Sequence, residues 1–192
     1  MQNGQIRNNK IRKEINMKTV FNSMDTVASK WAEQSQERGR NTHDSISFEG
    51  KTIYSYSTAI ASFVKSDVVL ISDKYYSRTT SNHQQTVLWK VTHGIRKYCV
   101  NNCTASCESE HNSNVENLMW LIKERSDKFW RARKRKEYHF QLVQNRLKEV
   151  KAYCKEFSLT LPILLPEEII CINPKAEEII FLRRAARKLL GK

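Results

Sequence analysis

Three groups of residues in this chain have the types and spacing that chemistry requires. The first is the polar turn Tyr75-Tyr76-Ser77-Arg78-Thr79-Thr80-Ser81-Asn82-His83, which reads as the opening of a helix. Hydroxyls and free N–H groups at a helix N-terminus can hold a phosphate or another anion. Thr79, Thr80, Ser81 and His83, together with Arg38 and Arg40 on either side of Gly39, therefore form a candidate anion site. The competing reading is structural, with Thr80 or Ser81 capping the helix and His83 on its first turn. No Asp or Glu stands close in sequence to orient His83, which weakens a Ser/His nucleophile.

The second group is Cys99, Cys103, Cys107 and His111, which recur every four residues. Three thiolates and one imidazole are a known tetrahedral zinc set. The spacing lacks the C-x2-C knuckle, and ligands four apart on a straight helix drift around it, so a loop would have to fold back on the ion. Zinc is the one cofactor these residues suggest, set against a polar linker with incidental cysteines and no cofactor.

The third group is electrostatic. The chain has a formal net charge of +13. Lys128-Phe-Trp-Arg-Ala-Arg-Lys-Arg-Lys136 holds six basic residues and no acid, and Arg183 to Lys192 holds five more. The excess is thus local. Lys128, Arg131, Arg133, Lys134, Arg135 and Lys136, extended by Arg183, Arg184, Arg187 and Lys188, are the candidate phosphate contacts, and Trp130 could stack on a base. The bland alternative is a solvated helical face with Phe129 and Trp130 in the core.

The elements that must position these groups follow from periodicity. Asn22 or Ser23 caps a helix through about Glu37, with Val27 and Trp31 on its apolar face and Gly39 as a C-terminal glycine. Ile46, Phe48 and Ile53 alternate around a hairpin turn at Glu49-Gly50-Lys51, and Thr52 to Tyr56 continues the period of two. Val68 to Ile71 is a continuous apolar run, expected to be a central strand buried on both faces. Val87, Leu88 and Val91 give the helix after the Ser/Thr/His turn its inward face. Val115, Leu118, Ile122, Phe129 and Ala132, then Val143, Leu147, Val150, Cys154 and Phe157, form two apolar stripes joined near Arg133 to Glu137. These imply an antiparallel helical hairpin or one long helix used in a homodimer. A last basic helix follows Asn173-Pro174 and runs to about Leu190.

The expected fold is α+β: a small antiparallel-type sheet with flanking helices, followed by a long helical hairpin and a C-terminal helix. Its parts are residues 1–16, a basic leader or a mis-assigned start; 17–94, the α+β domain; 95–113, a cysteine-containing linker; 114–161, the hairpin; and 162–192, the C-terminal basic helix. Lys13-Glu14 can be encoded by a purine-rich AAGGAG two codons before Met17, which resembles a ribosome-binding site, so Met17 as the start competes with a genuine basic arm. No apolar run approaches bilayer length. The reading is a soluble, intracellular protein whose cysteines are thiols or metal ligands rather than disulfides.

Several motifs together resemble a family of bacteriophage-encoded proteins of unknown function. They are W-A-x-x-x-Q at Trp31 to Gln36, G-R at Gly39-Arg40, F-x-G-x-x-I-Y-S-Y from Phe48 and Y-S-x-T-T-S-x-H from Tyr76. The similarity continues through Trp120-Leu121, Arg131 to Lys134 and Y-C-K-E-F from Tyr153, covering about Lys18 to Pro162. The family pattern has Gly at the place of Ser57 and lacks the cysteine cluster. The resemblance implies a phage origin and a place in the cytoplasm of an infected bacterial host; it transfers no catalytic residue.

Three functions compete. One is non-enzymatic binding of DNA or RNA through the basic helical surfaces. Another is inhibition of a host defence complex, in the manner of an anti-CRISPR protein, through contact with a nucleic-acid-bearing partner. The third is an enzyme acting on a nucleotide or phosphate ester at the Ser/Thr/His turn. The third lacks paired carboxylates, a P-loop and a convincing metal set.

Overall fold

The computed structural model describes residues 18–91, 94–132 and 134–162. The chain divides into two units at Ala105 and Ser106.

In the first unit two crossovers frame an antiparallel meander. β1 (Val20–Phe21) leads through α1 (Met24–Ala32) to β2 (Arg38–Asn41), its parallel neighbour. β3 (Ile46–Glu49), β4 (Thr52–Ser55), β5 (Thr58–Lys65) and β6 (Val68–Ser72) then follow, each antiparallel to the strand before it. α2 (Arg78–Lys90) carries the chain to β7 (Arg96–Val100), parallel to β6. Spatial order is sequence order, β1 to β7. Parallel neighbours cannot be joined by a tight turn, which is why a helix stands at each end of the sheet and nowhere between. The sheet is therefore larger than the sequence suggests, and mixed.

Both helices share one core. Val27, Ala28 and Trp31 of α1, Val87 of α2 and Val91 just past its end pack with Ile46, Phe48, Ile53, Phe63, Val69 and Ile71. Trp31 is fully buried, and its indole N–H donates to the Lys51 carbonyl at 3.0 Å, so its burial leaves no orphaned donor. Lys90 reaches Asp25 at 3.0 Å and ties α2 to α1. All five residues of β6 are buried, as expected of a central strand.

Four local expectations are corrected. α1 ends at Ala32, not Glu37, and Gln34 takes a positive φ of 47° just beyond it. Gly39 does not cap that helix. It lies inside β2, where an added Cβ would stand 2.7 Å from Cε1 of Phe48, so any side chain there would have to displace that ring. The cap of α2 is Ser77, whose hydroxyl accepts from the Thr80 N–H at 3.2 Å. Residues 95–113, expected as a linker, contain β7 and the start of α3 (Glu108–Arg131).

The second unit is the helical hairpin. α3 begins six residues before the expected Asn114, because the Glu110 carboxylate accepts from the Ser106 N–H at 2.7 Å and from the Cys107 N–H at 3.4 Å. α4 (Lys136–Glu156) returns antiparallel to it. Val115, Leu118, Ile122 and Phe129 face Val143, Leu147, Val150 and Cys154, and all eight are buried, so the stripes pack on each other within one chain. The turn between them contains neither Gly nor Pro; Arg135 supplies the left-handed residue, with φ 58° and ψ 31°. The expected C-terminal helix and the leader at 1–16 lie outside the described residues.

Candidate functional site

The six residues of the expected anion site fall in two places. Period-two alternation sends Gly39 toward the core rings and its neighbours Arg38 and Arg40 to the opposite, exposed face of the sheet. Thr80 and His83 lie on the core side of α2, buried against β4. Thr79 is exposed and Ser81 half-buried.

On the core side, the Ser55 hydroxyl is 2.8 Å from Nδ1 of His83 and 3.2 Å from the Thr80 hydroxyl, which also meets the Ser77 hydroxyl at 3.2 Å. One consistent assignment has Ser55 and Ser77 donating to Thr80, and His83 Nδ1–H donating to Ser55. Ser55 is 1% exposed and His83 4%. Burial holds the His83 imidazole below its ordinary pKa, hence neutral at neutral pH. In this assignment the Ser55 proton is directed at Thr80 and not at the imidazole, so the pair pins α2 to β4 rather than activating a nucleophile. Ser55 stands 28 residues before its partner, a pairing that only the hairpin and crossover topology could reveal.

On the open side, Arg38 and Arg40 line a cleft of about 540 Å³ with Thr19, Gly39, Ser47, Phe48, Glu49 and Tyr54. The register places Arg40 opposite Ser47 and Ser47 opposite Tyr54, and Arg38 opposite Glu49. Arg40 is ion-paired to Asp44, both partners being well exposed. Sequence reasoning missed Tyr54 and Glu49, whose place in the cleft depends on cross-strand register.

The zinc expectation is not met by the arrangement of its four residues. Cys99 is half-buried in β7. The Cys103 thiol is buried, points at the Ala59 carbonyl at 3.5 Å, and is pushed up to about 11 by that burial, so it stays protonated. Cys107 is exposed at the start of α3. His111 Nδ1 lies 2.7 Å from the Tyr153 hydroxyl, and its ring stacks on Phe157 with centroids 3.9 Å apart. Among the described residues no group of three or more His, Cys, Asp or Glu side chains is placed to hold a metal.

At the α3–α4 turn, Arg131, Lys134 and Arg135 are exposed. Lys128 is ion-paired to Glu124 one turn back. Trp130 is half-buried and stands edge-on to the buried Phe129, centroids 5.0 Å apart. The exposed aromatic beside the turn is instead Tyr138, 58% exposed in the first turn of α4. Its position next to Lys136-Glu137 was legible in the sequence; its exposure depends on the rotation of α4 on α3. Arg133, the Lys136 side chain, Arg183, Arg184, Arg187 and Lys188 lie outside the described residues.

Residues 6–99 match the model of a family of unknown function, DUF8033. The matched span takes in β1 to nearly the end of β7, with Arg38, Arg40, Ser55 and His83, and leaves the hairpin aside. It also reaches into the leader, upstream of Met17. No curated protein and no solved structure gives a match. Among the described residues no helix is long and apolar enough to cross a membrane.

Proposed function

We propose that this chain is a non-enzymatic nucleic-acid-binding protein that meets phosphates with the turn of its helical hairpin, in the cytoplasm of an infected bacterial cell. The observation that carries this reading is the exposed trio Arg131, Lys134 and Arg135, for which the described residues offer no ion-pair partner. Two further features support it. No acid occurs between Lys128 and Lys136, so nothing in that stretch competes with a phosphate. Arg135 occupies a left-handed position that glycine would fill without strain, which costs on the order of 1 kcal/mol.

The contacts are to the backbone, so affinity is insensitive to sequence and governed by counterion release. Replacing Arg131, Lys134 and Arg135 together with Ala weakens binding to unrelated duplexes equally. It also flattens the slope of log affinity against log salt by about 2.7 if each contacts one phosphate. Unchanged affinity and slope in that variant reject the turn as the contact surface. Tyr138→Ala adds a second comparison: loss confined to single strands identifies Tyr138 as a stacking surface.

A further inference from the structure

The cleft on the open face of the sheet belongs to the first unit and is not used by the reading above. Its lining combines two guanidinium groups, a hydroxyl, a carboxylate and an aromatic ring: Arg38, Arg40, Ser47, Glu49 and Tyr54. Two residues apart on one strand, Arg38 and Arg40 sit about 7 Å from each other on the same face, close enough to fork one phosphate between them. Tyr54 lies two strands over from Arg40 through Ser47, about 10 Å away, which is the reach from the phosphate of a nucleotide to its base. At about 540 Å³ the open cleft has room for a small ligand.

We propose that this cleft binds a nucleoside monophosphate, held by Arg38 and Arg40 at the phosphate and by Tyr54 against the base. Glu49 stands directly opposite Arg38 at the phosphate end, where its carboxylate competes with the ligand for that guanidinium, and Ser47 is the hydroxyl between the two ends. Asp44, which pairs with Arg40 at the rim, is exposed and is readily displaced by a doubly charged phosphate. The same chemistry is presented by a free nucleotide and by the 5′-phosphorylated end of a strand.

The test is calorimetric titration of the full chain with adenosine, guanosine, cytidine and uridine 5′-monophosphates, with adenosine and inorganic phosphate as fragments. The expected result is saturable one-to-one binding of at least one monophosphate, tighter than either fragment. Arg38→Gln with Arg40→Gln lowers that affinity tenfold or more. Tyr54→Leu lowers it by a similar factor while leaving weak phosphate binding in place, and Tyr54→Phe retains it. Thermal melts verify that each variant is folded. A 5′-phosphorylated trinucleotide that competes more tightly than the monophosphate makes the ligand a strand end; equal or weaker competition makes it a free nucleotide. Absence of saturable binding by all four monophosphates overturns the proposal, as does wild-type affinity in the double arginine variant. The Arg131, Lys134 and Arg135 variant binds the monophosphate as the wild type does, so failure at the hairpin turn and failure at the cleft are read separately.

Discussion

His83 exchanges water for the Ser55 hydroxyl when the chain folds, and that exchange sets a pH dependence. Its folded pKa lies below the ordinary value near 6.5, so the unfolded chain binds the proton more readily. The contribution is fully present above about pH 6.5 and is lost as pH falls from there toward the lower folded value. Denaturant midpoints of the wild type therefore fall between pH 7 and pH 5 more steeply than those of His83→Asn, in which the amide can still reach Ser55. Parallel pH profiles for the two proteins would show that burial of His83 contributes nothing to acid sensitivity. The Ser/Thr/His turn illustrates what residue types alone can convey. They signalled a helix start correctly, but the cap proved to be Ser77 and the partner of His83 a serine on another strand.

At the scale of elements, legibility followed the clarity of the local pattern and the closeness of the partner. The hairpin at Gly50, with φ 51°, and the alternation of Ile46, Phe48 and Ile53 were readable because both strands and their turn are adjacent. The hairpin helices were readable because each stripe repeats over several turns. β2 and β5 were not, and in β5 the four consecutive buried residues Ile60 to Phe63 show no alternation; nor were β1 and β7, which pair in parallel across a crossover, β7 carrying the charges and cysteine of an apparent linker. Gly39 was misassigned for the same reason: the need for a bare backbone comes from Phe48, which stands opposite it on β3. Gly39→Ala should cost roughly 1–3 kcal/mol by overpacking against that ring, read from urea denaturation. A cost near zero would mean Phe48 moves aside freely. In the hairpin, Leu147→Ala should cost roughly 2–5 kcal/mol, while its exposed neighbour Lys148→Ala stays within about 0.5 kcal/mol. Equal effects at the two positions would contradict the packing of α4 on α3.

For the molecule as a whole, the two units carry different kinds of surface. The sheet unit spans most of the residues that match the family of unknown function, and two of its exposed arginines are ion-paired, Arg40 with Asp44 and Arg96 with Asp67. Among the described residues, the hairpin turn gathers three exposed cations with no ion pair, Arg131, Lys134 and Arg135. Net charge acts here through position: the +13 is concentrated in acid-free stretches of the sequence, and the proposal of a phosphate-bearing partner rests on that concentration. The central claim is tested most directly on the wild-type protein by measuring affinity for several unrelated DNA and RNA sequences across a salt series. The account predicts log affinity falling linearly with log salt, with similar slopes on all duplexes and a steepness that counts the phosphates contacted. Undetectable binding at low ionic strength, or affinity indifferent to salt, would contradict it.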